Sequence, residues 1–171
     1  IFLDDKGRNR LQLGLDDDDQ TPGVLLSDSA GVTRAQVDVS AKNRPSLLLF
    51  DNKEVCRGGF TVYDNGQAGL TLSDEKNAPR AQFLLDKDSA PSLEYYDANG
   101  KLRSGYWLMA NGAPALSYFD AAEKERSWLS LRDDGGTSYR QYNADGKMMT
   151  SLNVDAKGRP ALMFIDPAGK V

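Results

Sequence analysis

The chain has 171 residues, with 21 Lys and Arg against 25 Asp and Glu, a formal net charge of −4, no histidine and one cysteine. Clustered basic charge for a nucleic-acid backbone is missing, and a single thiol, Cys56, forms neither an internal disulfide nor a thiolate metal cluster. Without histidine the commonest general base and the usual zinc and nucleophile partner are gone.

A unit read most cleanly from Asp97 to Phe119 recurs along the whole sequence. Copies start at Asp4, Asp28, Asp51, Asp74, Asp97, Asp120, Asn143 and Asp166, and from Asp28 onward the interval is 23 residues without insertion or deletion. The first copy is one residue longer, its turn swollen by the acidic run Asp16 to Asp19. A fixed period of this length marks an array of stacked supersecondary units. The expectation is one repetitive domain over residues 1–171, cut at both ends from something longer, since the chain opens on a repeat's tail without an initiator Met and shows no signal peptide.

Within each copy the columns are chemically uniform. Six places after the Asp stands Arg (Arg10, Arg34, Arg57, Arg80, Arg103, Arg126), with Met149 the exception, and a mostly small residue follows. Large apolar residues then alternate, as in Val37 and Val39 or Tyr106 and Leu108, which predicts a strand with one buried face. After a turn cluster, Pro or a small residue (Pro22, Pro45, Ala68, Pro91, Pro114, Thr137, Pro160) opens a second strand, the place where a missing N–H is tolerated. Its apolar alternates include Leu47 with Leu49 and Leu116 with Tyr118.

Asp97-Ala98-Asn99-Gly100 and Ala110-Asn111-Gly112 read as hairpin loops in which Asn or Gly supplies positive φ. Two short turns per repeat predict an all-β fold: seven to eight antiparallel hairpin repeats in a continuous meander, rolled or layered. A β-solenoid with parallel strands is the alternative. Pairing across the turns puts the apolar columns of both strands on one face, too oily to leave wet, and a long twisted meander is expected to roll, layer or stack on another copy to cover it. On the other face the Arg column falls opposite the last residue of the following strand, giving Arg34 with Phe50, Arg80 with Tyr96, Arg103 with Phe119 and Arg126 with Tyr142, which predicts guanidinium–ring pairs.

Aromatics concentrate in the second half. Trp107 and Trp128 are expected to flank Ala115 on the more polar face, where with Tyr96, Phe119 and Tyr142 they form the candidate ligand-binding set, a platform for a sugar ring or a partner's side chain. The plainer expectation is that another layer or subunit covers this face, since large exposed aromatic patches are unusual on monomers. The acidic turns Asp16 to Asp19, Asp86-Lys87-Asp88 and Asp133-Asp134-Gly135 lack the spacing of a Ca²⁺ cage, and no phosphate-cradling glycine loop occurs. Neither catalytic residue, metal nor cofactor is expected.

At Tyr96-Asp97-Ala98-Asn99-Gly100-Lys101-Leu102 and Tyr142-Asn143-Ala144-Asp145-Gly146-Lys147-Met148 the chain resembles the β-hairpin repeats of bacterial surface proteins, the cell-wall-binding and YD repeats among them. Over its whole length it resembles bacterial repeat proteins of the pattern D-x-x-G-x-x-R…P-x-L-x-L. The resemblance implies a bacterial surface or secreted setting. The expected function is a non-enzymatic structural or interaction module, a stalk, spacer or docking surface whose partner is protein, either itself or a parent assembly. A glycan-binding module on the Trp107 and Trp128 face is the alternative. No nucleic-acid partner is expected, and no apolar run reaches the roughly 18–20 residues of a spanning helix.

Overall fold

The computed structural model describes residues 1–15, 20–166 and 168–170. The run Asp16 to Asp19 lies outside the described residues. Every regular element is a strand, and no helix is long and apolar enough to cross a membrane among the described residues, which says nothing of strand-built membrane proteins. The chain divides into two compact units, Ile1–Ser89 and Ala90–Val171.

The first unit holds β1 (Phe2–Leu3), β2 (Asn9–Leu15), β3 (Pro22–Ser27), β4 (Thr33–Val39), β5 (Pro45–Phe50), β6 (Cys56–Val62), β7 (Ala68–Ser73) and β8 (Pro79–Leu85). The second holds β9 (Pro91–Tyr96), β10 (Leu102–Leu108), β11 (Pro114–Phe119), β12 (Glu125–Leu131), β13 (Thr137–Tyr142), β14 (Met148–Val154) and β15 (Pro160–Phe164). In each unit every strand pairs antiparallel with the next in sequence. The meander therefore stands and the parallel solenoid does not. The predicted openers are found at strand starts: Pro22, Pro45, Ala68, Pro91, Pro114, Thr137 and Pro160 each begin a strand.

Both kinds of turn close a three-residue loop whose third residue is left-handed. In the Asp97 turn the Asp97 N–H donates to the Lys101 carbonyl at 2.9 Å, the Gly100 N–H donates to the Asp97 carbonyl at 3.1 Å, and Gly100 sits at φ 74°. The Met109 turn repeats this with Gly112 at φ 80°. Where glycine is missing, Asn43, Asn77, Glu54 and Glu123 take the same conformation, φ 57° to 60°.

One device escaped the alternation pattern. Each hairpin that opens a repeat carries a β-bulge: Leu49 pairs with Gly58 while Phe50 pairs with Cys56, leaving Arg57 as the extra residue. Arg34, Arg80, Arg103, Arg126 and Met149 are the extra residues of their own hairpins. The repeated Arg is thus the bulge residue, placed where the ladder is broken and the side chain re-aimed.

The apolar columns fall on one face as expected, in three rows across each unit. In the first unit the middle row runs Leu13, Val24, Val37, Leu47, Phe60, Leu70 and Phe83. In the second it runs Leu93, Tyr106, Leu116, Leu129, Tyr139, Leu152 and Leu162. The expected rolling or layering is not supplied within either unit, whose meander is a single layer. Leu13 is 71% exposed, Phe60 48% and Leu152 51%. The most buried side chains lie on the opposite face and are small: Ser117, Ser138 and Ser151 at 1% and Ala115 at 2%.

Candidate functional site

The Asp and Arg columns build one clamp in each repeat where both residues stand, the repeat of Asn143 and Met149 being the exception. Asp51 Oδ1 accepts from the backbone N–H groups of Lys53 at 2.9 Å and Val55 at 3.1 Å, and its Oδ2 takes Arg57 Nη1 at 3.3 Å. Arg57 Nε then donates to the Ser73 carbonyl, at the end of β7, at 3.0 Å. Asp28 with Arg34 and Asp120 with Arg126 repeat the pattern, reaching the Phe50 and Tyr142 carbonyls at 3.0 Å. The expected register is right, but the chemistry is corrected for Arg34 and Arg126: the guanidinium bonds the backbone of the aromatic residue. A guanidinium over a ring occurs elsewhere, Arg44 lying 5.7 Å from the Tyr63 ring centre.

These contacts hold Asp4, Asp28, Asp51, Asp74 and Asp120 below the usual aspartate range, with backbone N–H bonds the largest cause in each. The Asp and Arg columns are therefore architecture. In the acidic turns, Asp86 Oδ1 accepts the Asp88 N–H at 2.8 Å, and Asp134 bonds both the Gly136 N–H at 3.0 Å and Arg132 at 2.8 Å. Cys56 is half-buried, its thiol facing the Gly58 carbonyl at 3.6 Å. Among the described residues no three His, Cys, Asp or Glu converge as metal ligands would.

The five candidate ligand-binding residues, Tyr96, Trp107, Phe119, Trp128 and Tyr142, share the opposite face of the second unit and are all half-buried. Their arrangement differs from a platform. Trp107 pairs with Ala115 as expected, but Trp128 pairs with Ser117 while Ala115 pairs with Ser130, so the indoles stand in different rows. Trp107 lies over Gly105, where an added Cβ would fall 2.3 Å from its Cζ2, and meets Phe119 edge-on with ring centres 6.2 Å apart. The Tyr96 hydroxyl bonds Glu94, and burial followed by that bond raises its pKa. Beside Trp128 a hollow of about 420 Å³ is bordered by Ser130, Arg132, Asp134 and Arg140.

The first unit uses the same large-over-glycine packing. Leu48 covers Gly59 and Leu84 covers Gly69, at 2.7 and 2.3 Å from where a Cβ would stand. This packing half-buries the opposite face under the sheet's own side chains and leaves the three-row apolar face as the more exposed surface. The exposed fractions on that face amount to roughly 1,000 Å² of apolar surface on each unit, against roughly 300–600 Å² for the largest patch of a typical monomer. A depression of about 360 Å³ lies on it between Tyr106, Leu116, Leu129 and Leu131.

No protein-family model matches the chain, and no curated protein matches it. Among solved structures it is similar to the TCP domain of SAS-4 (dCPAP) of Drosophila melanogaster in complex with a proline-rich motif of Ana2 (dSTIL). Identity there is 10% over 81% of this chain and 87% of the other, with a TM-score of 0.34. It is also similar to the wild-type TCP10 domain of Danio rerio CPAP in complex with a STIL peptide, at 13% identity over 99% of this chain and 94% of the other, TM-score 0.27. At these scores the likeness transfers nothing about ligands.

Proposed function

We propose that the chain is a non-enzymatic interaction module that works by laying its apolar sheet face against protein. The observation behind this is the uncovered face itself: three rows built mainly of Leu, Val, Phe, Tyr, Pro and small residues, with neutral polar residues at Ser104, Ser127, Thr137, Gln141 and Thr150 and no charged side chain in either unit. Covering apolar surface is the dominant favourable term in association. Catalysis would need titratable groups converging on one pocket, whereas most carboxylates here are spread along the turns and bonded there, and those on the strands are bonded to neighbouring side chains, Asp38 to Ser46, Glu94 to Tyr96 and Glu125 to Ser117. In keeping with the bacterial hairpin-repeat pattern it resembles, the module serves as a stalk, spacer or docking surface of a larger surface or secreted assembly.

A photoactivatable phenylalanine at Phe60, on the apolar face, and for contrast at Leu48, on the opposite face, tests this in the source cells. Protein adducts are expected from Phe60 and not from Leu48. Adducts from Leu48 alone would move the working surface to the other face and overturn the reading.

A further inference from the structure

The apolar face is not uniform across its strands. Every strand from β3 to β15 has three positions there. The central one is large or medium, and of the outer two one is bulky while the other is shorter, except on β14, where Thr150 and Val154 match in size. The shorter one changes ends from each strand to the next. On β5, Leu49 stands by the Asp turn and Pro45 by the far turn, while on β6 Gly58 stands by the Asp turn and Val62 by the far one. In the second unit β11 carries Tyr118 and Pro114, and β12 carries Ser127 and Leu131. The small column after each Arg thus has a counterpart, the Pro column at the other edge, in opposite phase.

We propose that the occupant of this face is the same face of a second copy, related by a two-fold axis lying between the sheets and running across the strands. This rests on the apolar face being the working surface and names what covers it. The rotation keeps each strand over its counterpart and reverses it end for end. Within the first unit Leu49 then meets the partner's Pro45 and Gly58 meets the partner's Val62; the same rotation applied to the second unit by itself sets Tyr118 on the partner's Pro114 and Ser127 on the partner's Leu131. Bulk falls on recess along both outer rows of each unit taken by itself. The other in-plane axis, parallel to the strands, would set bulk on bulk unless the copy slid by one strand.

Two further observations favour a copy over a different partner. The three rows hold no charge, so a charged docking segment would find nothing to pair with, whereas an identical face is apolar wherever this one is. Each unit also offers roughly 1,000 Å², above the roughly 800 Å² per partner of a stable interface. Such an isologous contact is the commonest oligomer geometry, and two sheets packed this way form an ordinary sandwich core.

The test is a cross-link that reads the axis. In a Cys56→Ser background, a chain carrying Gly58→Cys is mixed with one carrying Val62→Cys and oxidised. The site tolerates the change, because a Cβ at Gly58 meets Leu72 at an ordinary 3.5 Å. A mixed disulfide dimer is expected, with none from Gly58→Cys chains alone. Sedimentation should give the unmodified chain twice its monomer mass, and Leu47→Lys with Leu70→Lys should return it to one while keeping its β circular dichroism. A monomer at every concentration would overturn the copy as occupant, and Phe60 adducts to a different protein would still support the interaction-module reading. A dimer that cross-links Gly58→Cys to Gly58→Cys would overturn the axis.

Discussion

Removing the Trp107 ring decides between packing and platform. Trp107 is half-buried, laid over Gly105 and edge-on to Phe119. Truncation to Ala takes roughly 100–130 Å² of buried surface away, about 3 kcal/mol at about 25 cal/mol/Å². The edge contact adds about 0.5–1.5 kcal/mol, and compact unfolded chains lower the sum by roughly 10–40%. The expected loss for Trp107→Ala is therefore about 2–4 kcal/mol, read from urea unfolding by far-ultraviolet circular dichroism. Gly105→Ala supplies the second arm of a cycle. Its Cβ would fall 2.3 Å from Cζ2 and 2.5 Å from Cη2 of the indole, so alone it destabilises by about 1–3 kcal/mol. Once the ring is gone the same change should stabilise by about 0.5–1 kcal/mol, because Gly is costly in a strand. The double variant should then miss additivity by about 2 kcal/mol. Additive effects, with Trp107→Ala costing under about 0.5 kcal/mol, would show a ring free of the sheet and restore the platform.

Three other expectations concern the turns. Asp4, Asp28, Asp51, Asp74 and Asp120 titrate below 3.8, the ordinary aspartate value, so their contribution is full above it and is lost as pH falls through the lower folded values. The urea midpoint should hold from pH 7 to 5 and drop below pH 4; a midpoint flat down to pH 2 would contradict the clamp. Asp120→Asn should lower the thermal midpoint less than Asp120→Ala. Asn143 fills the same place and accepts the same two backbone bonds, at 2.9 and 3.0 Å, so equal losses would make those bonds irrelevant. Glu54→Gly should raise stability by about 1 kcal/mol, since Glu54 is exposed and held at φ 60° where glycine sits without strain. No rise in the thermal midpoint would remove that strain from the account.

Strand existence, hairpin chemistry and the one-sided apolar face were all legible in the columns, because each rests on local rules of period two and positive φ. The bulge was not. Alternation read from the large residues onward starts just after it, and the extra residue shows only once pairing across the Asp turn is known. For the same reason the Arg column suggested ring stacking when Arg34 and Arg126 bond the Phe50 and Tyr142 carbonyls. Trp128 was placed beside Ala115 when it pairs with Ser117, a slip of one row that pattern alone does not catch, because both residues are small and on the same face. The glycines at 59, 69 and 105 gave no signal of the side chains folded over them, since which large neighbour leans on a glycine depends on rotamers and not on spacing.

The unequal treatment of the two faces has one physical origin. A single-layer sheet must satisfy its backbone through neighbouring strands, which the turns and clamps achieve here, but it has no second layer to hide side chains. On one face the repeat eases this with glycine under Leu48, Leu84 and Trp107 and with buried Ser117, Ser138 and Ser151, so the sheet half-covers itself. On the other it sets large or medium residues along the middle row and alternates bulk with recess along the outer rows, which leaves that face uncovered within each unit and a relief that another surface can fill. A sequence selected only for solubility would break that face with lysine or glutamate, as natural sheet edges do. Charge-free rows with a regular relief are what selection for a fitted partner produces. Lys substitution at Leu47 and Leu70 therefore separates the two pressures: a gain in solubility with loss of assembly is expected, and a gain in solubility with assembly unchanged would mean the face serves no contact.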